Sequence, residues 1–169
     1  AYIELGWSYR EQGNYLQAED SFKKAIELNS KNEDAYIELG WSYREQGNYL
    51  QAEDSFRKAI ELNPKNDNAY LGLGWSYRKQ GNYLQAEDSF RKAIELNSKN
   101  ENAYIELGRI YKEQGNYPQA EDSFRKAIEL NSKNENAYIE LGWSYREQGN
   151  YLQAEDSFKK AIELNSKNE

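Results

Sequence analysis

The chain has 169 residues, 22 of them basic and 29 acidic, and its formal net charge is -7. Cys, His and Met are absent, which excludes disulfides, thiolate metal sites and histidine catalysis. The acidic balance argues against binding to nucleic acid or to an anionic membrane, so the expected partners are proteins or peptides.

One segment of 34 residues, from Ala1 to Asp34, recurs almost unchanged along the whole chain. A fixed period of this size predicts a solenoid, because each copy is too small to bury a core without its neighbours. We expect one array over residues 1–169, with repeats at 1–34, 35–68, 69–102, 103–136 and 137–169.

Each repeat contains two stretches whose apolar side chains recur at helical spacing. In the first repeat these side chains are Tyr2, Leu5 and Tyr9, then Tyr15, Ala18, Phe22 and Ala25. The turn between the stretches is short, so the sequence predicts an antiparallel pair of helices in every repeat.

Turn and cap residues mark the helix ends in the sequence. Gly13 is predicted to end the first helix in a left-handed conformation. Asn14 is predicted to cap the second helix, with Gln17 as its capping-box partner. Asn32 is predicted to cap the first helix of the next repeat.

Six positions of the repeat match a known signature: Tyr2, Leu5, Gly6, Tyr9, Ala18 and Phe22. On these residues the chain resembles the tetratricopeptide repeat family over all five repeats. The resemblance implies an all-α, right-handed superhelical solenoid of five repeats and ten helices that acts in protein–protein interaction. The family favours Pro at the end of the second helix, and here only Pro64 follows that preference.

The family geometry implies that the first helices line a concave groove, which Trp, aliphatic and basic side chains would face. The predicted groove residues are Ile3, Trp7, Arg10, Ile37, Trp41, Arg44, Leu71, Trp75, Arg78, Lys79, Ile105, Arg109, Lys112, Ile139, Trp143 and Arg146. A row of Trp edged by Arg is suited to an extended or helical peptide. The alternative is that each Trp packs on the adjacent repeat and binds no ligand.

The third and fourth repeats depart from the others in charge. Gly72 and Lys79 replace Glu in the third repeat, and Arg109 replaces Trp in the fourth. With Arg78 and Lys112 these changes predict a basic island, in which Gly72 would open space beside Trp75 for a partner residue. Drift after duplication is the alternative. The Lys and Asn clamp for a terminal carboxylate that some family members use is not expected, because Ile and Trp take its places.

Catalysis is not predicted, because the remaining candidates are Ser, Lys, Tyr and carboxylates that recur in every repeat. No phosphate-binding loop or calcium loop is present in the sequence, and RNA-reading arrays need basic grooves with varied side chains. We therefore expect no enzyme activity, no catalytic or metal site and no cofactor.

A second function is that of a structural or engineered array that associates weakly head to tail, notably in crystals. Its contact residues would be Tyr2, Leu5, Tyr9, Phe158, Ile162 and Leu164. These side chains pair inside the array, and no polar capping helix covers them at the ends. The missing Met favours a segment cut from a longer natural protein. No leader or apolar span is apparent, which favours the cytoplasm.

Overall fold

A computed structural model of the chain describes residues 1–166, which form ten α-helices and contain no strand. The helices are α1 (Tyr2–Glu11), α2 (Tyr15–Leu28), α3 (Glu33–Glu45), α4 (Tyr49–Leu62), α5 (Asp67–Lys79), α6 (Tyr83–Leu96), α7 (Glu101–Glu113), α8 (Tyr117–Leu130), α9 (Glu135–Glu147) and α10 (Tyr151–Asn165). The odd-numbered helices are the first helices of the repeats. The all-α class and the five helix pairs predicted from the sequence are confirmed.

Internal contacts group the helices into two compact units. The first unit, Ala1–Leu96, contains α1 to α6, and the second begins at Asn97 and contains α7 to α10. Within each unit every first helix packs on its own second helix, and that helix packs on the next first helix. A single array over residues 1–169 stays a prediction, and the last three of those residues lie outside the described part.

The turn within each repeat depends on a glycine. Gly13 has a φ of 76°, in the left-handed region, and its N–H donates to the Arg10 carbonyl at 2.9 Å. The Asn14 N–H donates to the Tyr9 carbonyl at 2.8 Å. These two bonds are those of a Schellman motif, so the predicted glycine end of the first helix is confirmed.

The two predicted caps differ in outcome. Asn32 Oδ1 accepts the Ala35 N–H at 3.2 Å, as predicted for the start of a first helix. Asn14 directly precedes α2, but its side chain makes no cap hydrogen bond, so the predicted capping box with Gln17 is wrong. The Schellman turn is the reason, because it holds Asn14 at φ -85° and ψ 64°, outside the extended conformation that a capping side chain uses.

The second helices end at the same position of the repeat whether or not Pro follows. α2 ends at Leu28 before a Ser, and α4 ends at Leu62 before Pro64. In both, the next residue is an extended Asn whose side chain accepts a backbone N–H two residues on, as Asn63 Oδ1 does from Lys65 at 3.0 Å. This Asn turn, rather than Pro, stops the helix.

Each complete pair is centred on one Phe. Phe22, Phe56, Phe90 and Phe124 are fully buried, together with the Ala residues around them. The rings fit because the facing helix presents a glycine: a Cβ on Gly40 would lie 2.8 Å from the Phe56 ring. The helices of a pair therefore approach each other closely at these Gly and Ala residues.

Candidate functional site

Side chains of neighbouring first helices meet along one surface within each unit. Arg10 of α1 forms an ion pair with Glu38 of α3, and Lys112 of α7 pairs with Glu140 of α9 at 2.5 Å. Between α3 and α5, Arg44 lies over the Trp75 ring instead, 4.0 Å from its centre. We call this surface the first-helix face; it is formed by α1, α3 and α5 in the first unit and by α7 and α9 in the second.

The predicted groove residues are exposed to different degrees on this face. Trp7 and Trp143 are 41% and 40% exposed, whereas Ile37 and Ile105 are buried, with 6% and 4% exposed. Partly buried positions are Ile3, Arg10, Trp41, Arg44, Leu71, Trp75, Arg78, Arg109, Lys112 and Ile139, and Lys79 and Arg146 are exposed. The predicted Ile ladder therefore offers little surface at Ile37 and Ile105, because these side chains pack into the core.

The Trp rings also pack against other rings of the fold. Trp41 meets Phe56 edge to face with 4.9 Å between ring centres, and Trp143 meets Phe158 in the same way at 5.4 Å. Trp75 lies 6.2 Å from Tyr49, which belongs to the preceding repeat. Each of these rings thus fills space in the helix stack with one side and leaves part of its surface open.

Arginines lie over these Trp rings at a recurring spacing of three residues. Arg44 is 5.0 Å from the centre of Trp41, Arg78 is 5.6 Å from Trp75, and Arg146 is 5.0 Å from Trp143. Such cation–π contacts hold a guanidinium against an aromatic ring, while its N–H groups can still donate hydrogen bonds. Within single first helices, Trp and Arg are therefore neighbours, whereas a continuous groove through the repeats stays a prediction.

The fourth-repeat part of the predicted basic island is neutralised by carboxylates. Arg109 Nη1 contacts Glu106 Oε1 at 2.5 Å, and Arg109 Nε contacts Glu140 Oε1 at 2.7 Å. Burial would raise the pKa of Glu140, but the hydrogen bonds from Lys112 and Arg109 outweigh it and hold that pKa below its ordinary value. Glu140 therefore stays ionised between these two cations, and neither cation is left unbalanced.

Gly72 does not open space beside Trp75, contrary to the sequence-based prediction. A Cβ on Gly72 would lie 2.3 Å from Phe56 Cε1, so the Phe ring of the preceding repeat already occupies that volume. The effect of Gly72 on the first-helix face is electrostatic, since a carboxylate stands at the equivalent positions Glu38 and Glu140.

The residues predicted for end-to-end contact are exposed unequally. Tyr2 is 39% exposed, Leu5 42% and Ile162 68%, whereas Tyr9, Phe158 and Leu164 are partly buried. A shallow depression beside α10 is lined by Ile139, Phe158 and Ile162, among others. Ile139, predicted for the groove, therefore lies next to residues predicted for the end of the array.

Sequence reasoning missed the carboxylates that join neighbouring first helices. Glu38 and Glu140 each form an ion pair with a basic side chain of the preceding first helix. In both pairs the basic residue lies 28 residues earlier in the chain. The repeat contains the signal, since Arg or Lys at the tenth position always precedes the next fourth position by this distance. It was missed because pairing across repeats depends on how far the first helices are rotated toward one another.

Two features are absent from the described residues. No group of three or more His, Asp, Glu or Cys side chains within residues 1–166 is arranged to hold a metal ion. In the same part of the chain, no helix combines the length and apolar character that crossing a membrane requires.

Paired helices that repeat every 34 residues define a helical-repeat protein. One tetratricopeptide repeat family model matches residues 3–67 and 37–101, and a second matches residues 100–167. The chain belongs to the tetratricopeptide repeat family, whose fold is typical of scaffolds for protein–protein interaction. Among curated proteins, no sequence matches this chain.

Solved structures of several repeat proteins are similar to this chain. A crystal structure of MamA is 28% identical, with a TM-score of 0.84 over 99% of this chain and 98% of that one. PilF of Pseudomonas aeruginosa is 22% identical, with a TM-score of 0.88 over 96% of this chain and 74% of its own, a likeness of fold alone. YrrB, described as having an unusual peptide-binding site, is 25% identical, with a TM-score of 0.73 over 96% of this chain and 84% of its own.

Proposed function

We propose that the chain is a protein-interaction scaffold that binds a peptide segment of its partner on the first-helix face. The observation that carries this proposal is that Arg lies over partly exposed Trp rings, at Trp41 and Trp75 in the first unit and at Trp143 in the second. Trp and Arg are the side chains most enriched among residues that dominate binding energy. The likeness to YrrB, a protein described by its peptide-binding site, supports the same function.

The geometry of the face favours an extended or helical peptide over a flat protein surface. Trp7 stands on α1 and Trp75 on α5 of one unit, so apolar rings recur from repeat to repeat along the face. A peptide that places apolar side chains at matching intervals would contact several rings at once. The rings are already held by Phe56 and Tyr49, which lowers the ordering cost of binding.

Selection from a phage-displayed library of random peptides, followed by affinity measurements on synthetic peptides, tests this function. In the double variant Trp41→Ala, Trp75→Ala we expect binding to fall at least about 30-fold, because a dominant aromatic contributes about 2 kcal/mol or more. The matched control is Leu50→Ala, Leu84→Ala, which removes two exposed apolar side chains near the turns. Circular dichroism confirms that each variant keeps its helices.

Two results would overturn the proposal: no peptide selected above background, or selected peptides whose affinity falls in the Leu control and not in the Trp variant. A third double variant, Trp41→Phe, Trp75→Phe, guards against a packing defect, since it keeps an aromatic ring at both positions. It should retain most of the affinity that the Ala variant loses.

A second candidate function is head-to-tail association between copies of this chain. The observation that favours it is the apolar surface on α10, where Ile162 is 68% exposed while its counterpart Ile128 in α8 is partly buried. α1 likewise exposes Tyr2 and Leu5. The α8 face packs against α9, so α10 presents a surface that is shaped to receive a first helix.

A further inference from the structure

We propose that the third repeat contains a binding site for the side-chain carboxylate of a bound peptide, formed by Arg44 of α3 with Trp75 and Lys79 of α5. The proposal rests on the peptide-binding function proposed above and names the chemical class of ligand that this face prefers. We call the three residues the α5 site; all of them belong to the first unit.

The argument begins with the ion pairs that join neighbouring first helices. Arg10 pairs with Glu38, and Lys112 pairs with Glu140 at 2.5 Å. In both cases the tenth residue of one repeat meets the fourth residue of the next. Gly72 stands at that fourth position in the third repeat, so the carboxylate that would meet Arg44 is missing.

Arg44 takes a different position as a result. Its guanidinium lies 4.0 Å from the centre of the Trp75 ring and 5.0 Å from that of Trp41. Its ion pair with Glu45 is 3.7 Å long, which is beyond hydrogen-bond distance. A guanidinium has five N–H donors, so one that lies over a ring can still hold a carboxylate with two bonds.

Lys79 adds a third cation beside the same ring, after Arg44 and Arg78. Its ammonium lies 4.8 Å from the centre of Trp75, and the residue is exposed. Other repeats have Glu here, as at Glu45, so the substitution reverses the charge. α5 contains one acidic and two basic residues, whereas α3 contains four acidic and one basic residue. The third repeat is therefore a locally positive position on an otherwise acidic face.

These charges specify the peptide. A single Asp or Glu flanked by apolar residues fits, because the carboxylate meets Arg44 and Lys79 while the apolar neighbours meet the Trp rings. A polyacidic peptide does not fit, because α1 and α3, the other first helices of the same unit, carry more acidic than basic residues. Gly72 contributes through the absent charge alone, since Phe56 fills the space beside it.

The test uses the full chain and peptides selected from a random phage-displayed library. Each selected peptide is synthesised in its own form and with its Asp or Glu changed to Asn or Gln. For the unmodified chain we expect the amide form to bind about tenfold more weakly, as for loss of a charge-assisted hydrogen bond. In Lys79→Glu and Gly72→Glu that difference should shrink to less than about twofold.

Lys65→Glu is the matched control, because it makes the same charge change at an exposed residue between α4 and α5. It should leave the tenfold difference intact. Gly72→Glu introduces a side chain that the repeat accommodates at Glu38 and Glu140, and Lys79→Glu does not depend on that accommodation. Both variants are checked by circular dichroism.

The outcomes separate this inference from the proposed function. Absence of any peptide binding overturns both. Binding that needs the Trp rings but is equally strong for acid and amide peptides overturns the α5 site alone. A loss caused only by amidation of the peptide C-terminus would overturn the side-chain assignment, and tighter binding of a phosphoserine version than of the Glu version would overturn the carboxylate assignment.

Discussion

The contact between one Phe and one Gly sets the spacing of the two helices in each pair. In the fourth repeat a Cβ on Gly108 would lie 2.5 Å from Phe124 Cε1, and Phe124 is fully buried. The ring has no free volume into which it can move. The fit therefore depends on the absence of a single methyl group.

Gly108→Ala should destabilise the protein by about 1–2 kcal/mol. Overpacking costs about 1–3 kcal/mol, while replacing Gly by Ala in a helix returns about 1 kcal/mol or less. The measurement is chemical denaturation followed by circular dichroism. Adding Phe124→Leu should relieve part of the loss, so the double variant should be more stable than the sum of the single variants.

Gly115→Ala is the control for this prediction. Gly115 has a φ of 74° and no atom within 4 Å of its Cβ position, so its substitution strains the backbone without touching Phe124. Its effect should add to that of Phe124→Leu. Coupling at Gly115, or additivity at Gly108, would contradict the packing explanation.

The first and the second helices of the repeats begin with different hydrogen bonds. The first helices α3, α5, α7 and α9 start after an Asn whose side chain caps the backbone, as Asn66 Oδ1 does for the Ala69 N–H at 3.1 Å. Asn66 also donates to Glu33 at 3.1 Å and so joins successive repeats. Second helices start after a Schellman turn, where the side chain of Asn48 makes no cap bond.

Asn66→Ala should therefore lower the free energy of unfolding by about 1–2 kcal/mol, the usual effect of losing an Asn cap. The matched substitution Asn48→Ala should lower the free energy of unfolding by only a few tenths of 1 kcal/mol, because no side-chain hydrogen bond is lost there. Urea denaturation of both variants makes the comparison. Equal losses would mean that both Asn residues act through backbone conformation alone.

At the scale of the whole molecule, the exposed faces of α1 and α10 decide how the chain behaves in solution. Each large apolar side chain buried contributes roughly 1.5–3 kcal/mol, and association costs roughly 4–15 kcal/mol. Because only a few such side chains lie at each end, the free energy gained by burial exceeds the cost of association by little. Any head-to-tail contact between copies should accordingly be weak, and because it does not close it should form open chains.

Sedimentation velocity over a wide range of protein concentrations measures this association. We expect the sedimentation coefficient to rise steadily with concentration, and Ile162→Glu to remove the rise by placing a charge in the contact. Leu16→Glu is the control, because Leu16 is 71% exposed but lies in the first turn of α2, away from α10 in the chain. A constant coefficient for the unmodified chain would exclude self-association as its function.

The sequence by itself determined the helix pairs, the turns and the family, because these depend on local patterns. The spacing of Tyr2, Leu5 and Tyr9 defines an amphipathic helix, and a left-handed turn requires Gly13. The same pattern occurs in all five repeats, which strengthens the prediction made at each position. The need for small residues at Gly6 and Ala18 also followed from the family resemblance.

The tertiary structure decided which charges and rings are available, because this depends on distances between repeats. Arg109 and Lys112 look like free cations in the sequence but share Glu140, and Gly72 looks like an opening but faces Phe56. The sequence does not distinguish Arg44 from Arg10. Arg44 lies over Trp75 because Gly72 offers it no carboxylate. Each result follows from contacts between residues that lie 16 to 31 positions apart in the chain, which a local pattern does not encode.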